Sequence, residues 1–252
     1  MLPAERLRAM LQLINTKGSM RVKELSQIFE VTEETVRRDL DTLESEGKIR
    51  RSHGGAVRVE DEYGEIPFLQ RESENITEKE TIALEAVRQI AVGDRIVLDA
   101  STTAWHVALI MPNQPMTVLT NSIRISMELA SRDKVEVIST GGIVRASSLS
   151  YVGPLAEETL GQFHVNKAFL SCKGCHTEYG ISESNALQAL VKRKMMDISD
   201  KVYILADNSK IQVRDFTRVA SLDEIDVLIT DKKTPLEHIE AIRRLGIDVS
   251  QV

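Results

Sequence analysis

Two sets of side chains in this sequence have the types and spacing to act on an anion. The first is cationic and lies in VTEETVRRDLDTLESEGKIRRSHGGAV, Val31 to Val57. Thr32, Thr35, Arg37 and Arg38 fall within one amphipathic run, and Lys48, Arg50, Arg51 and His53 fall in the short segment after it. Guanidinium and ammonium groups pair with phosphate oxygens, and hydroxyls add hydrogen bonds, so this set suits a nucleic-acid backbone. The second set is hydroxyl-rich and dispersed. It comprises Asp99, Ser101, Thr102 and Thr103 in DASTT, Thr120, Asn121 and Ser122 in TNS, Gly141 and Gly142 in STGG, and Lys210 in DNSK. A single cluster of this kind reads as a helix N-cap. Repeated at successive strand ends, with a lysine, the clusters suit a small anionic ligand held by helix N–H groups.

The first set needs a rigid frame, and the surrounding residues supply one. Leu7, Met10, Leu11 and Ile14 are spaced as one helix face, opened by Pro3 and closed by Gly18. Val22, Leu25, Ile28 and Phe29 repeat the pattern. A third helix starts at Thr32 as N-cap, with Val31 and Val36 placed for a hydrophobic staple. Burying Val36, Leu40 and Leu43 turns Thr35, Arg37 and Arg38 outward, as in the recognition helix of a helix-turn-helix. Gly47 ends that helix, and KIRRSHGGAVRV reads as a two-stranded wing turning at Gly54-Gly55.

The second set needs strand ends. RIVLDA, MTVLTN, VEVIST, KAFLSC, KVYILAD and DVLIT are short apolar runs separated by helical segments such as TEKETIALEAVRQIA, TTAWHVALIM, SIRISMELAS and NALQALVKRKMMDIS. Alternation of this kind predicts an α/β domain with a largely parallel sheet, whose ligands bind beyond the carboxyl ends of the strands. The expected organisation is a winged helix-turn-helix over residues 1–57, a charged linker over 58–74 and a ligand-binding domain over 75–252.

Charge distribution agrees with this division. The chain has 252 residues and a formal charge of −6, yet residues 1–58 carry 11 Lys/Arg against 9 Asp/Glu. A slightly basic head on an acidic body is expected where only the head touches a polyanion. No apolar stretch has the length of a membrane span and the N-terminal residues do not read as a signal peptide, so the expected location is cytoplasmic, with the two cysteines unpaired.

VTEETVRRDLDTLESEGKIRRSHGGAV resembles the N-terminal domain of the DeoR family of bacterial transcriptional regulators, through its Thr-x-Arg-Arg-Asp-Leu core, Leu-x-x-x-Gly helix exit and His-Gly-Gly-Ala ending. The body is similar to the same family in PFLQRESEN, LDASTT, TNS, GISESN and DNSK. The resemblance implies a C-terminal domain of ribose-5-phosphate isomerase/CoA-transferase-like type that responds to phosphorylated sugars. It also implies that Glu183 and Lys194, with Ser101, Thr102, Thr103, Asn121 and Lys210, line or support the effector pocket. Ala100 stands where the common family form has Gly, and LDASTTAW looks closer to regulators of L-fucose and related deoxysugar operons. The function implied is that of an operator-binding homodimer or homotetramer. It would be a repressor of a sugar catabolic operon, controlled by a phosphorylated sugar, with no cofactor, no metal and no membrane partner.

Two other chemistries find matching residues in the sequence. CKGCH, Cys172 to His176, has the spacing of a haem attachment site or a thiol switch, but two small residues ending a buried strand explain it more simply. An isomerase-like enzyme carrying a DNA-binding module would use Asp99, Glu183 and Lys210 for proton transfer. The attached head makes a sensor the more economical expectation, since fold alone does not imply activity.

Overall fold

Helix α1 (Pro3–Lys17) stops where Gly18 turns to φ 77°. Strand β1 (Ser19–Arg21) leads into helix α2 (Val22–Phe29). Glu30 then adopts a left-handed φ of 53° and closes α2 by donating its N–H to the Ser26 carbonyl. Helix α3 (Glu33–Ser45) opens on Thr32, whose hydroxyl accepts from the Thr35 N–H at 3.2 Å. Such a cap contributes about 1 kcal/mol. The wing is β2 (Ile49–Ser52) against β3 (Gly55–Arg58). Strand β1 also pairs with β3, so the sheet has three strands rather than the two expected from the sequence. That pairing depends on Gly55, where a Cβ would come within 2.2 Å of the Met20 carbonyl oxygen.

Met10, Ile14, Leu25, Val36, Leu40 and Leu43 form the core of the head. Ile28, expected on the buried stripe of α2, is 51% exposed. It sits about 100° around the helix from Phe29, beyond the edge of a stripe that α2 needs only for Val22, Leu25 and Phe29.

In the computed structural model, residues 3–52, 54–58 and 66–252 are described. The chain divides into two units, Met1–Glu62 and Tyr63–Val252. The second begins with α4 (Phe68–Glu72), in the stretch assigned to the linker from sequence. Phe68 is buried edge-on against Trp105, with ring centroids 6.1 Å apart, so these residues pack as part of the body. Then follow α5 (Ile76–Arg88), β4 (Arg95–Leu98), α6 (Thr102–Ile110), β5 (Met116–Thr120), α7 (Ile123–Leu129) and β6 (Val135–Ser139). A hairpin of β7 (Ile143–Arg145) and β8 (Ser150–Val152) leads to α8 (Pro154–Leu160) and β9 (Val165–Ser171). The chain continues through β10 (Gly174–His176), β11 (Gly180–Glu183), α9 (Ala186–Asp197), β12 (Ser199–Leu205) and β13 (Thr217–Ala220). It ends with β14 (Val227–Thr230), α10 (Leu236–Arg243) and β15 (Asp248–Gln251).

Seven strands form one parallel sheet in the order β15-β14-β12-β9-β4-β5-β6. Alternate residues serve opposite faces, as strand geometry requires. Ile96, Leu98, Phe169, Tyr203 and Leu205 face one core with α5 and α6, whereas Val97, Ala168, Leu170, Val202 and Ile204 face the other with α8 and α9. From β4 the chain builds outward through β5 and β6, then returns to lay β9 against the other side of β4 and builds outward again. The switch point between β4 and β9 opens a crevice at their carboxyl ends, the place where sheets of this kind bind ligands. Strands β10, β11 and β13 form a separate antiparallel sheet. No helix among the described residues is long and apolar enough to cross a membrane.

Candidate nucleic-acid interface and candidate anion-binding cleft

The head presents its cations on one helix and one strand. Arg38 on α3 is 80% exposed, and its Nε lies 3.7 Å from Glu34. Arg37 pairs with Glu33 at 2.8 Å, one turn back along the same helix. Exposed pairs of this kind contribute only a few tenths of a kcal/mol, so both guanidiniums can exchange their carboxylates for phosphate at small cost. Thr32 and Thr35 share a hydroxyl–hydroxyl contact of 2.9 Å at the start of α3. Lys48 is exposed beside Glu46 at 2.7 Å.

The two wing arginines point to opposite faces of β2. Arg50 is exposed, whereas Arg51 is half-buried, with its Nε 3.6 Å from Asp41 and its N–H donating to Glu44 at 2.9 Å. Arg51 therefore ties the wing to α3, and Arg50 is the wing arginine directed at solvent. His53 lies outside the described residues.

In the body, the switch point holds a cleft with about 580 Å3 of empty space including its mouth. Of the residues expected from sequence, Ser101, Thr102, Thr103, Glu183 and Lys210 line it. Ser101 caps α6 by accepting from the Ala104 N–H at 3.0 Å. The first N–H groups of α6 have no partner within the helix and carry its positive dipole end toward the cleft. Asp99 lies beneath the floor, 1% exposed, accepting from the Ser101 N–H at 3.1 Å and the Ser171 N–H at 2.9 Å.

The remaining candidates stand elsewhere. The Thr120 hydroxyl donates to the Leu98 carbonyl at 2.7 Å, Ser122 caps α7, and the Asn121 amide donates to the Tyr151 carbonyl at 2.9 Å. These three lock the end of β5 to its neighbours and do not line the cleft. Gly141 and Gly142, at φ 64° and 119°, turn the chain between β6 and β7. A Cβ on Gly142 would meet the Val152 carbonyl oxygen at 2.9 Å, so its need for glycine is explained by packing. Lys194 is also outside the cleft, with its Cε against Gly161 at the end of α8. Two helical residues subtend about 200°, so Lys194 and Lys192 leave opposite sides of α9, and Lys192 is the one that enters the cleft.

Lys192 is the central residue that sequence reasoning missed. Its ammonium lies 2.8 Å from Asp99 and 2.5 Å from Glu183, and it donates to the Ser171 carbonyl at 2.5 Å. Burial works against its charge, but the two carboxylates outweigh burial and hold its pKa above the ordinary lysine value. Lys79, also missed, is 5% exposed and donates to the carbonyls of Arg71 and Glu74. Burial pulls its pKa down to about 8, opposed by the charge of Asp207 and reinforced by Lys210. A signal for Lys192 existed in the sequence: it shares the buried face of α9 with Gln188, Ala189 and Val191, where an unpaired lysine would not be tolerated.

The cleft is thus bipolar. Arg71, Lys79, Lys210 and the α6 N-terminus supply positive potential on the side that Glu74 and Asp207 also line, while Lys192 offsets part of the charge of Glu183 and Asp99. Cys172 also lines it, but burial raises its thiol pKa well above the usual value, and burial pushes Cys175 up to about 12. Neither side chain is a thiolate at neutral pH, which disfavours thiol exchange. Among the described residues, no three metal-ligating side chains gather into a site.

A winged helix-turn-helix joined to an α/β domain with a polar crevice at its switch point defines a DNA-binding regulator with a ligand-sensing domain. Residues 6–62 match the family model described as the DeoR-like helix-turn-helix domain, and residues 74–232 match the DeoR C terminal sensor domain. The uncharacterized HTH-type transcriptional regulator YulB of Bacillus subtilis is 48% identical over 252 residues, covering 100% of this chain and 98% of that protein. The L-fucose operon activator of Haemophilus influenzae is 38% identical over 225 residues, covering 89% of this chain and 90% of that protein. The transcriptional repressor AccR of Agrobacterium fabrum is 32% identical, covering 91% and 90% of the two chains. Among solved structures, ribose 5-phosphate isomerase A from Methanocaldococcus jannaschii covers 55% of each chain at 15% identity with a TM-score of 0.41. The chain belongs to the DeoR family of transcriptional regulators.

Proposed function

We propose that this regulator represses a sugar catabolic operon, and that a phosphorylated sugar bound in the switch-point cleft lowers its affinity for the operator. The observation that carries this reading is the polarity of the cleft. A phosphate would sit against Arg71, Lys79, Lys210 and the N-terminus of α6, while the sugar hydroxyls would reach Glu183 and the Gln188 amide. The carboxylates that a proton-transfer enzyme would use as bases are already engaged by Lys192 at 2.8 and 2.5 Å, which favours binding without conversion. Arg37, Arg38 and Lys48 would contact operator phosphates from α3 and the wing, with Thr35 and Arg50 beside them. The protein would act in the cytoplasm, as a homodimer or homotetramer matching a two-fold operator.

Two relatives bear on the sugar and on the sign of regulation. The L-fucose operon activator at 38% identity supports a deoxysugar pathway, and the repressor at 32% identity shows that repression occurs among the relatives. The test is calorimetric titration of the purified protein with the ketose 1-phosphates of the fucose and rhamnose pathways, and with ribose 5-phosphate as a comparison, followed by chromatography of the recovered compounds. Saturable binding of one compound, recovered unchanged, is expected. Turnover would establish the enzyme reading instead, and no binding by any of them would remove the sugar-phosphate assignment.

A further inference from the structure

The apolar stripe of α3 contains an anomaly. Val36, Leu40 and Leu43 are buried at helical spacing, and the fourth buried position of that face, Asp39, is a carboxylate only 8% exposed. Its partner comes from α1. Arg6 Nε donates to Asp39 Oδ2 at 2.6 Å, and Nη2 donates to Oδ1 at 3.1 Å. Both side chains are mostly removed from solvent, at 12% and 11% exposure, and the geometry is the two-pronged fork that guanidinium and carboxylate form best.

A buried ion pair is a poor way to add stability, because well-packed apolar residues of similar volume often do as well or better. What the pair provides is direction. The apolar contacts of α3 with Met10, Ile14 and Leu25 allow a helix to rotate or slide by fractions of a turn at little cost, whereas a two-pronged hydrogen bond fixes one orientation. On the other flank, the Arg51 N–H and Nε reach Glu44 and Asp41, so α3 is tied to α1 on one side and to the wing on the other. Arg38 immediately precedes Asp39 in the chain, so any roll of α3 about its axis carries that exposed guanidinium with it.

We propose that the Arg6–Asp39 fork sets the orientation of α3 toward the operator, which makes Arg6 a positioning residue for DNA binding without itself touching DNA. This rests on α3 being the recognition helix. It also removes Asp39 from the candidates for base readout, although it lies within the Arg-Arg-Asp run.

The test uses the full-length protein and DNA from upstream of its own gene, with operator affinity measured by fluorescence anisotropy across a salt series. The variants are Arg6→Lys, Arg6→Ala, Asp39→Asn and the swapped pair Arg6→Asp with Asp39→Arg. Arg6→Lys keeps the charge and loses the fork. It is expected to weaken operator binding roughly tenfold, about 1.4 kcal/mol, while leaving the slope of log affinity against log salt unchanged. A group that contacts phosphate directly would instead lower that slope by about 1 when neutralised, so Asp39→Asn and Arg6→Ala are read for slope as well as affinity. The swapped pair is expected to recover part of the affinity lost by either single change. Circular dichroism and thermal melting accompany each variant. Should Arg6→Ala fail to fold, Arg6→Lys decides the matter.

Wild-type operator affinity in folded Arg6→Lys and Asp39→Asn would overturn the proposal. So would a drop of one in the salt slope for Arg6→Ala, which would make Arg6 a phosphate contact. Arg38→Ala is the control for the underlying reading. If it also binds operator normally, the recognition-helix assignment has failed; if it alone loses binding, only the positioning role has failed.

Discussion

Lys192 and Asp99 meet across the switch point of the sheet: an ammonium carried by α9 lies 2.8 Å from a carboxylate at the end of β4, with 8% and 1% of the two side chains exposed. Glu183, at the end of β11, completes the group at 2.5 Å. The ends of β4, β9 and β11, through Asp99, Ser171 and Glu183, therefore meet at one lysine.

Lys192→Met is expected to destabilise the body by about 3–5 kcal/mol, because it leaves two buried carboxylates without a counter-charge. Urea unfolding measures this. Adding Asp99→Asn and Glu183→Gln to the variant is expected to restore much of the loss, since no buried charge then remains. The pH dependence follows from the raised pKa of Lys192. Its contribution is complete below the unfolded lysine value of about 10.4, and fades as pH rises through the higher folded value. The contribution of the Lys192 charge in the wild type is thus constant from neutral pH to mild alkali and is lost only beyond that range.

Lys79 predicts the opposite kind of pH dependence, in the ligand rather than the fold. Its ammonium, pulled down to about 8 chiefly by burial, is charged at neutral pH and uncharged at pH 9.5. A sugar phosphate is already dianionic above a second pKa of about 6, so its affinity is expected to fall as pH rises through 8. Calorimetry between pH 7 and 9.5 tests this, and Lys79→Met should bind weakly with no such pH step. For the protein alone the sign reverses. Between about 8 and about 10.4 the unfolded chain binds more protons at this group, so this lysine adds stability as pH rises.

Lys210 and Lys194 form a pair of contrasting substitutions. Lys210 lines the cleft, and Lys210→Ala is expected to blunt the effector response while operator affinity without ligand stays unchanged. Lys194 packs against Gly161 away from the cleft, so Lys194→Ala should respond like the wild type. Anisotropy titrations of both variants with the active sugar phosphate decide this, and a normal response in Lys210→Ala would displace the phosphate position.

On the head, Arg38→Ala is expected to weaken operator binding and reduce the salt slope by about 1, as removal of one phosphate contact does. Thr32→Ala should cost about 1 kcal/mol of head stability through loss of the α3 cap. Thermal melting and anisotropy across a salt series separate the two. An unchanged salt slope in Arg38→Ala would mean that this guanidinium does not meet a phosphate.

The sequence carried most of the frame because each expected element has a local signal. Thr32 caps α3 as its hydroxyl and spacing indicate, and six apolar runs became six of the seven strands in the parallel sheet. Strand β15, DVSQ, escaped notice because it is an edge strand whose residues are at most half-buried, so no apolar run marks it. Helix α4 lacks a local signal because FLQRE is short and charged, and its one anchor, Phe68, finds Trp105 only in the folded body. The cleft was half legible. Hydroxyls after β4 advertise a helix cap, which also opens onto the ligand space. Those after β5 advertise a cap too, and there they cap α7 and tie the end of β5 to its neighbours without lining the cleft. Lys192 is marked only by its place on the buried face of α9, and the roles of Lys79 and Arg71 depend on meetings in the folded body that spacing along the chain does not encode.

The most direct test of the central claim, that occupancy of the cleft governs the head, is fluorescence anisotropy of the full-length protein on DNA from upstream of its own gene. The titration is run at fixed salt, with and without each ketose 1-phosphate, beside Lys210→Ala. Specific binding that one sugar phosphate weakens in the wild type and leaves untouched in Lys210→Ala is expected. Specific binding that every sugar phosphate leaves unchanged, or an equal shift in both proteins, would contradict it.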